Sequence, residues 1–188
     1  MLPSRLQVGL KEWATVCDAL GSGGQIVLFR KGGINDTGGV FELEERQFLL
    51  FPTYLHQKAD MLKPAARSKI QPFDAEPATV TLSLAAEVTD VLKVTDRAVA
   101  DRIDDEHIWS PAQLDMRFNY KPDKPLFVVL LRVYRLIQPV MIANSPTYAG
   151  CRSWVPLDEW VNVADATAAL GDEDYAVKRE AIVSRLTR

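Results

Sequence analysis

The stretch from Leu126 to Ile137, LFVVLLRVYRLI, constrains what this chain can fold into more than any other. Pro125 and Pro139 fence it, and its apolar run from Leu126 to Leu131 is unbroken. Its Val and Phe content between two prolines predicts a strand rather than a helix. A strand apolar on both faces must be covered on both sides. Farther along, polar and apolar residues alternate, so Arg132 and Tyr134 leave one face while Val133 and Arg135 leave the other. The segment reads as a central strand that emerges from the core and joins a surface or a cleft.

The rest of the chain supplies partners for that strand. Leu6, Leu10, Trp13, Cys17 and Leu20 recur at spacings of three and four, which predicts one amphipathic helix stopped by Gly21-Ser22-Gly23-Gly24. Gln25 to Arg30 reads as a strand, Lys31 to Gly39 as a glycine-rich loop, and Val40 to Phe51 as a second strand broken near Glu45. Residues 25–51 would then form a hairpin-like pair. Tyr54 to Leu62 is predicted as a short helix, and Thr79 to Val94 alternates as one long strand or two short ones. Ser110-Pro111 is a helix start, with a hydroxyl cap and proline at the first helical position. That helix should run to about Tyr120. Val140 to Ile142 would add a short strand, and the charged stretch from Asp172 onward a last helix. Strands dominate the middle with no regular βαβ alternation. The expected class is α+β, a small, mostly antiparallel sheet curled into a barrel or part of one, with flanking helices.

With 188 residues, 47% hydrophobic and 25% charged, the chain suits a single domain over 1–188, with residues 172–188 inside it or appended to it. No apolar run approaches the ~20 residues that span a bilayer, and the first residues lack a secretory h-region. No membrane partner is expected. Cys17 and Cys151 show no metal-ligand spacing, so we expect reduced structural thiols in a cytoplasmic protein. The net charge of −3 argues against bulk attraction to polyanions. Charge is nonetheless uneven. Arg117, Lys121, Lys124, Arg132, Arg135 and Arg152 face only Asp115 and Asp123 between positions 115 and 152. Such a segment can form a local anion-binding patch, or its stems can cover the core edge with the charged heads in water.

Several long strings resemble an uncharacterised bacterial family, domain of unknown function 1802. They are LKEWATVCDAL with LFRKGGI, RQFLLFPTYLHQ, and IWSPAQLDMRFNY with LLRVYRL and GCRSWVPL. That resemblance implies membership and brings no activity with it. The order of elements is also similar to that of ASCH domains, which are PUA-like. That similarity implies a small barrel, and PUA-like barrels mostly bind RNA or modified bases.

Read as chemistry, Arg30-Lys31-Gly32-Gly33 offers two cations and approachable backbone N–H groups to a phosphate or carboxylate. It is not a P-loop, and the bland alternative is a hairpin loop with solvated charges. His56, between Tyr54 and Gln57, can hydrogen-bond a base edge, act as a general base, or simply pack. Trp109 could stack on a ligand or belong to the core. Arg46, Arg132, Tyr134 and Arg152 complete the candidate binding set, on the expectation that they line the same side. No residue is assigned as catalytic, and no metal or cofactor is expected. GxSxG and HExxH are absent, and no lysine has an acidic residue two positions before it, as a PD-(D/E)xK nuclease needs. The first functional expectation is a nucleic-acid or nucleotide-binding module without catalysis. One alternative is a phosphate- or nucleotide-processing enzyme using His56 with Arg30, Lys31 and Arg46. The other is a protein-interaction domain.

Overall fold

The computed structural model describes residues 2–31, 34–37, 40–43, 45–71, 73–150 and 152–188, with the backbone alone for 34–37 and 40–43. In chain order the elements are β1 (Arg5–Trp13), α1 (Ala14–Gly21), β2 (Val27–Arg30), β3 (Ile34–Thr37), β4 (Val40–Leu43), β5 (Gln47–Thr53) and α2 (Pro64–Arg67). There follow β6 (Thr79–Val94), α3 (Arg97–Asp101), α4 (Pro111–Asn119), β7 (Leu126–Ala143), β8 (Trp154–Asn162), β9 (Thr167–Ala168) and α5 (Asp172–Thr187). The fold is α+β, and its main sheet is curled and mostly antiparallel.

The main sheet runs β2-β7-β6-β5-β1-β8, with β9 also paired to β7. Within it, β1 and β5 are parallel and the other pairings antiparallel. The apolar run of β7 is central, as predicted, with β2 on one side and β6 on the other. Every residue from Leu126 to Val133 is buried. β5 shows the same logic. Phe48 and Leu50 enter one core cluster, and Leu49 and Phe51 enter the other, on the opposite face of the sheet. The larger cluster joins α1, β2, β7, α4 and α5 through Leu20, Phe29, Leu130, Leu114 and Ile182, all 1% exposed or less. Each such side chain contributes about 1.5–3 kcal/mol of burial.

Four local expectations change. First, residues 5–13 are a strand and only Ala14–Gly21 is helical. Pairing with β5 and β8 overrides the helical spacing, and a register shift between Leu6 and Val8 sends Leu6 and Leu10 into opposite core clusters. Second, residues 25–51 are not a hairpin. β2 pairs with β7, β5 pairs with β1 and β6, and β3 and β4 form a separate two-stranded ladder. Third, Tyr54 to Leu62 holds a turn and a short 3-10 segment, Ala59–Met61, rather than a helix. Fourth, Pro139 does not end the central strand. Leu82 faces Val140 while Leu84 faces Arg135, so residues 136–139 bulge from the ladder and absorb the missing N–H. The Ser110 cap appears as predicted, its hydroxyl accepting from the Gln113 N–H.

Candidate functional site

One cleft, of about 490 Å³, concentrates the chemistry of this molecule. Its walls come from segments distant in sequence. Trp13 ends β1, Arg30 and Lys31 end β2, and Ser153 precedes β8. The remaining wall is α4 and the turn after it, through Gln113, Arg117 and Tyr120, with Lys121 and Lys124 beyond. Gln113, Arg117 and Lys121 recur every four residues, which aligns them on one side of the helix and its exit. β1 and β2 are not neighbours in the sheet, yet the Arg30 guanidinium lies 3.6 Å from the Glu12 carboxylate. The curl of the sheet makes that contact, and it creates the cleft.

Each cation is held differently. Arg30 is internal, its side chain 14% exposed, and Glu12 beside it is 5% exposed. Burial pulls the Arg30 guanidinium below its usual range, while Glu12 pulls it back. Arg117 donates to the Phe29 carbonyl at 2.9 Å and lies 5.4 Å from the centre of the Trp109 ring. Its affinity for a proton is lowered by burial, raised by Glu12 and lowered again by Arg30. Lys31 donates to the carbonyls of Phe118 and Tyr120 at 2.7 and 2.8 Å, so it caps the negative end of α4. Burial lowers its proton affinity too. Lys121, in left-handed backbone at φ 49°, lies over the Tyr120 ring at 5.1 Å. Lys124 is exposed. Five cations thus surround a cleft whose nearest internal carboxylate, Glu12, is already engaged.

The α4 wall also holds polar atoms without partners. Gln113 Oε1, Arg117 Nε and Trp109 Nε1 are buried and make no hydrogen bond among the described residues. A buried unpaired group costs about 1–3 kcal/mol. Trp109 is 1% exposed and meets Trp13 edge-on at 5.0 Å, so it backs the cleft rather than lining it.

The residues singled out in the sequence scatter around this site. Arg30 and Lys31 line it; Gly32 and Gly33 lie outside the described residues. Arg46 is exposed just before β5, where its carbonyl accepts from Val88 N–H, and it is not part of the cleft. Its expected adjacency to Arg30 rested on a β2–β5 pairing that does not form. Tyr54 and Gln57 line a smaller cleft of about 190 Å³ with Cys17. There Gln57 accepts from Thr15 N–H and hydroxyl at 3.1 and 3.0 Å, fastening α1 to the loop after β5. His56 is exposed at φ 67° and contributes to neither cleft. Arg132 is buried beneath α5, donating to Asp172 at 2.5 Å with Tyr175 4.6 Å from its guanidinium. Tyr134, next to it on the strand, faces Ala85 and Ala168. Neither reaches the Arg30 side. Arg152 is exposed and does not line the cleft. The Cys17 thiol is free and buried, and burial, then Glu12 and Asp18, push it well above its usual value. It is therefore a protonated, packed thiol. Cys151 lies outside the described residues.

Sequence reasoning assigned Trp13 to the core, counted Arg117, Lys121 and Lys124 only among the cations of a possible anion-binding segment, and passed over Gln113 and Tyr120. The available signal was the excess of cations between positions 115 and 152, together with the four-residue spacing along α4. Among the described residues no group of His, Cys, Asp and Glu could hold a metal ion, and no helix is long and apolar enough to cross a membrane.

Similar solved structures include three of an ASCH protein from Zymomonas mobilis. The unsubstituted protein has 15% identity and a TM-score of 0.45, covering 94% of this chain and 93% of that one. A serine-to-alanine mutant of it has 15% identity and a TM-score of 0.45, covering 97% and 98%. A tyrosine-to-phenylalanine mutant has 15% identity and a TM-score of 0.44, covering 94% and 96%. No curated protein matches the chain significantly. The model of one family, Domain of unknown function (DUF1802), matches residues 9–181, from β1 into α5 and across every segment of the cleft, and the chain belongs to that family.

Proposed function

We propose that this protein is a binding module for the phosphate groups of a nucleic acid or nucleotide, and that the cleft between β1, β2 and α4 is where it binds. The observation that carries this reading is the convergence of Arg30, Lys31, Arg117, Lys121 and Lys124 on one cleft that also holds Trp13 and Tyr120. Clustered cations with aromatic faces suit a sugar-phosphate chain bearing bases, because phosphates attract the cations and bases stack on the rings. Glu12 offsets one of the five charges, and Asp123, in the turn between Lys121 and Lys124, is exposed. The protein's overall charge of −3 confines any attraction to this patch.

The test is binding of short single-stranded RNA and DNA across a salt series. Lys121→Ala and Lys124→Ala change residues at the open end of the cleft, so the fold should survive both. Each should flatten the slope of log K against log salt by about 0.7, the value for one lost single-strand phosphate contact. Arg46→Ala and Arg152→Ala lie outside the cleft and should bind as the wild type does. Absence of binding by the wild type at low salt, or binding that both lysine variants leave unchanged, refutes the proposal.

A further inference from the structure

We propose that the smaller cleft beside α1 is a binding site for a free amino acid, held between the Asp18 carboxylate and the Lys69 ammonium. This cleft shares no lining residue with the cationic one, and the inference stands apart from the reading above. Its volume is about 190 Å³. A cavity of about 150 Å³ takes a benzene ring, so this cleft suits a ligand of about six to ten non-hydrogen atoms. Its polar walls come from four places in the chain. α1 supplies Asp18, the loop after β5 supplies Tyr54, the segment leaving α2 supplies Lys69 and Gln71, and β6 supplies Thr81 and Ser83. The β6 wall depends on an irregularity in the sheet. The β6–β7 ladder shifts register between Leu82 and Leu84, so Leu82 packs in one core cluster while Ser83 and Leu84 both line this cleft. Bulges re-aim side chains in this way and recur beside binding sites.

The chemistry of the ligand follows from these walls. Asp18 and Lys69 border one small cleft with opposite charges, both open to solvent, yet neither is in an ion pair among the described residues. A pair that does not close on itself leaves room for a molecule carrying both charges. The ammonium of an amino acid meets Asp18 and its carboxylate meets Lys69, each in a charge-assisted hydrogen bond. A simple anion would satisfy Lys69 and face the Asp18 carboxylate, and a simple cation would do the reverse, so the cleft selects against both. The Tyr54, Thr81 and Ser83 hydroxyls and the Gln71 amide make no side-chain hydrogen bond among the described residues, which leaves them to the remaining polar atoms of the ligand. Burial, then Cys17, Asp18 and Glu76, strengthen the hold of Tyr54 on its proton and keep it a neutral donor. Leu50 and Leu84 give a short aliphatic part an apolar wall. A few convergent polar groups on an apolar base is the usual form of a small-molecule site.

The experiment is calorimetric titration of the full-length protein with the standard amino acids, and with the N-acetyl and carboxamide derivatives of those that bind. At least one amino acid should bind with a Kd of about 1 mM or tighter, and blocking either of its charged ends should weaken it about tenfold or more. Asp18→Asn should bind the free amino acid about tenfold more weakly and no longer distinguish it from the N-acetyl form. Lys69→Met should likewise lose the distinction between the free amino acid and its carboxamide. Both residues are exposed, so both variants should keep the wild-type melting midpoint. Lys121→Ala, in the other cleft, should bind the amino acid as the wild type does. No binding of any standard amino acid at about 10 mM, or an affinity that Asp18→Asn and Lys69→Met both leave unchanged, overturns the inference. Either result leaves the phosphate-binding reading untouched, because that reading is tested on a different cleft with different variants.

Discussion

Acidification from pH 7 to pH 5 should weaken this fold through His107. Its ring is 5% exposed, packs edge-on against Phe29 at 5.0 Å, and among the described residues has neither nitrogen in a hydrogen bond of good geometry. Burial disfavours its charged form, and Lys63 adds to that effect, so its pKa is pushed down to about 4. Asp104 and the Trp109 backbone pull it upward, and Arg97 pulls it farther down. In the unfolded chain the ring regains the ordinary value of about 6.5. The sign follows directly. Above pH 6.5 both states are neutral and the group adds nothing to the pH dependence. As pH falls through 6.5 the unfolded state takes up a proton that the folded state refuses, and stability drops until the folded ring also titrates near 4. At pH 5 the folding equilibrium has shifted toward the unfolded state by a factor of roughly 30 relative to neutral pH, or about 2 kcal/mol, and the loss levels off near 3 kcal/mol in stronger acid. Urea denaturation of the wild type and of His107→Leu at several pH values between 7.5 and 5 isolates the effect, because other titrating groups are common to both proteins. The wild type should lose about 2 kcal/mol more than the variant over that range. Parallel stability curves would refute a neutral, buried His107.

Two other substitutions test how the fold is held. Arg132→Ala should cost about 2 kcal/mol, since it removes the guanidinium packed on Tyr175 and its hydrogen bond to the Gly171 carbonyl, and should make α5 the first segment cut by a protease. Asp172→Asn, at the fully exposed end of the same contact, should leave the melting midpoint where it is in thermal denaturation. Gly23→Ala and Gly150→Ala both place a side chain at positive φ, +77° and +88°, but only the first drives its Cβ to 2.6 Å from Leu170. Both should therefore lower stability by about 1 kcal/mol for the backbone, with a further loss at Gly23 alone, and equal losses in denaturation curves would contradict the contact.

Much of the framework was legible in the residues themselves. Leu126 to Leu131 reads as a strand from its Val and Phe content between prolines, and as one covered on both faces because an unbroken apolar run has no polar side to turn toward water. Ser110-Pro111 starts α4 through chemistry confined to neighbouring residues, a hydroxyl accepting from an N–H and a proline where no N–H is needed. The α+β class follows from such local signals taken in order. Tertiary structure decided the rest. Leu6, Leu10 and Trp13 recur at a helical spacing, and only the ladders offered by β5 and β8 override it and make residues 5–13 a strand. The cleft was less visible still. Arg30 was legible as a cation at a strand end, but its neighbours depend on strand order, and β2 pairs with β7 instead of β5. That choice leaves Arg46 out of the cleft, while the curl of the sheet carries Arg30 to Glu12 and Trp13 and brings α4 alongside. Short-range patterns set the elements, because caps, turns and periodicity act over a few residues. The site depends on contacts between segments about a hundred residues apart, such as Trp13 with Trp109, which no local pattern encodes.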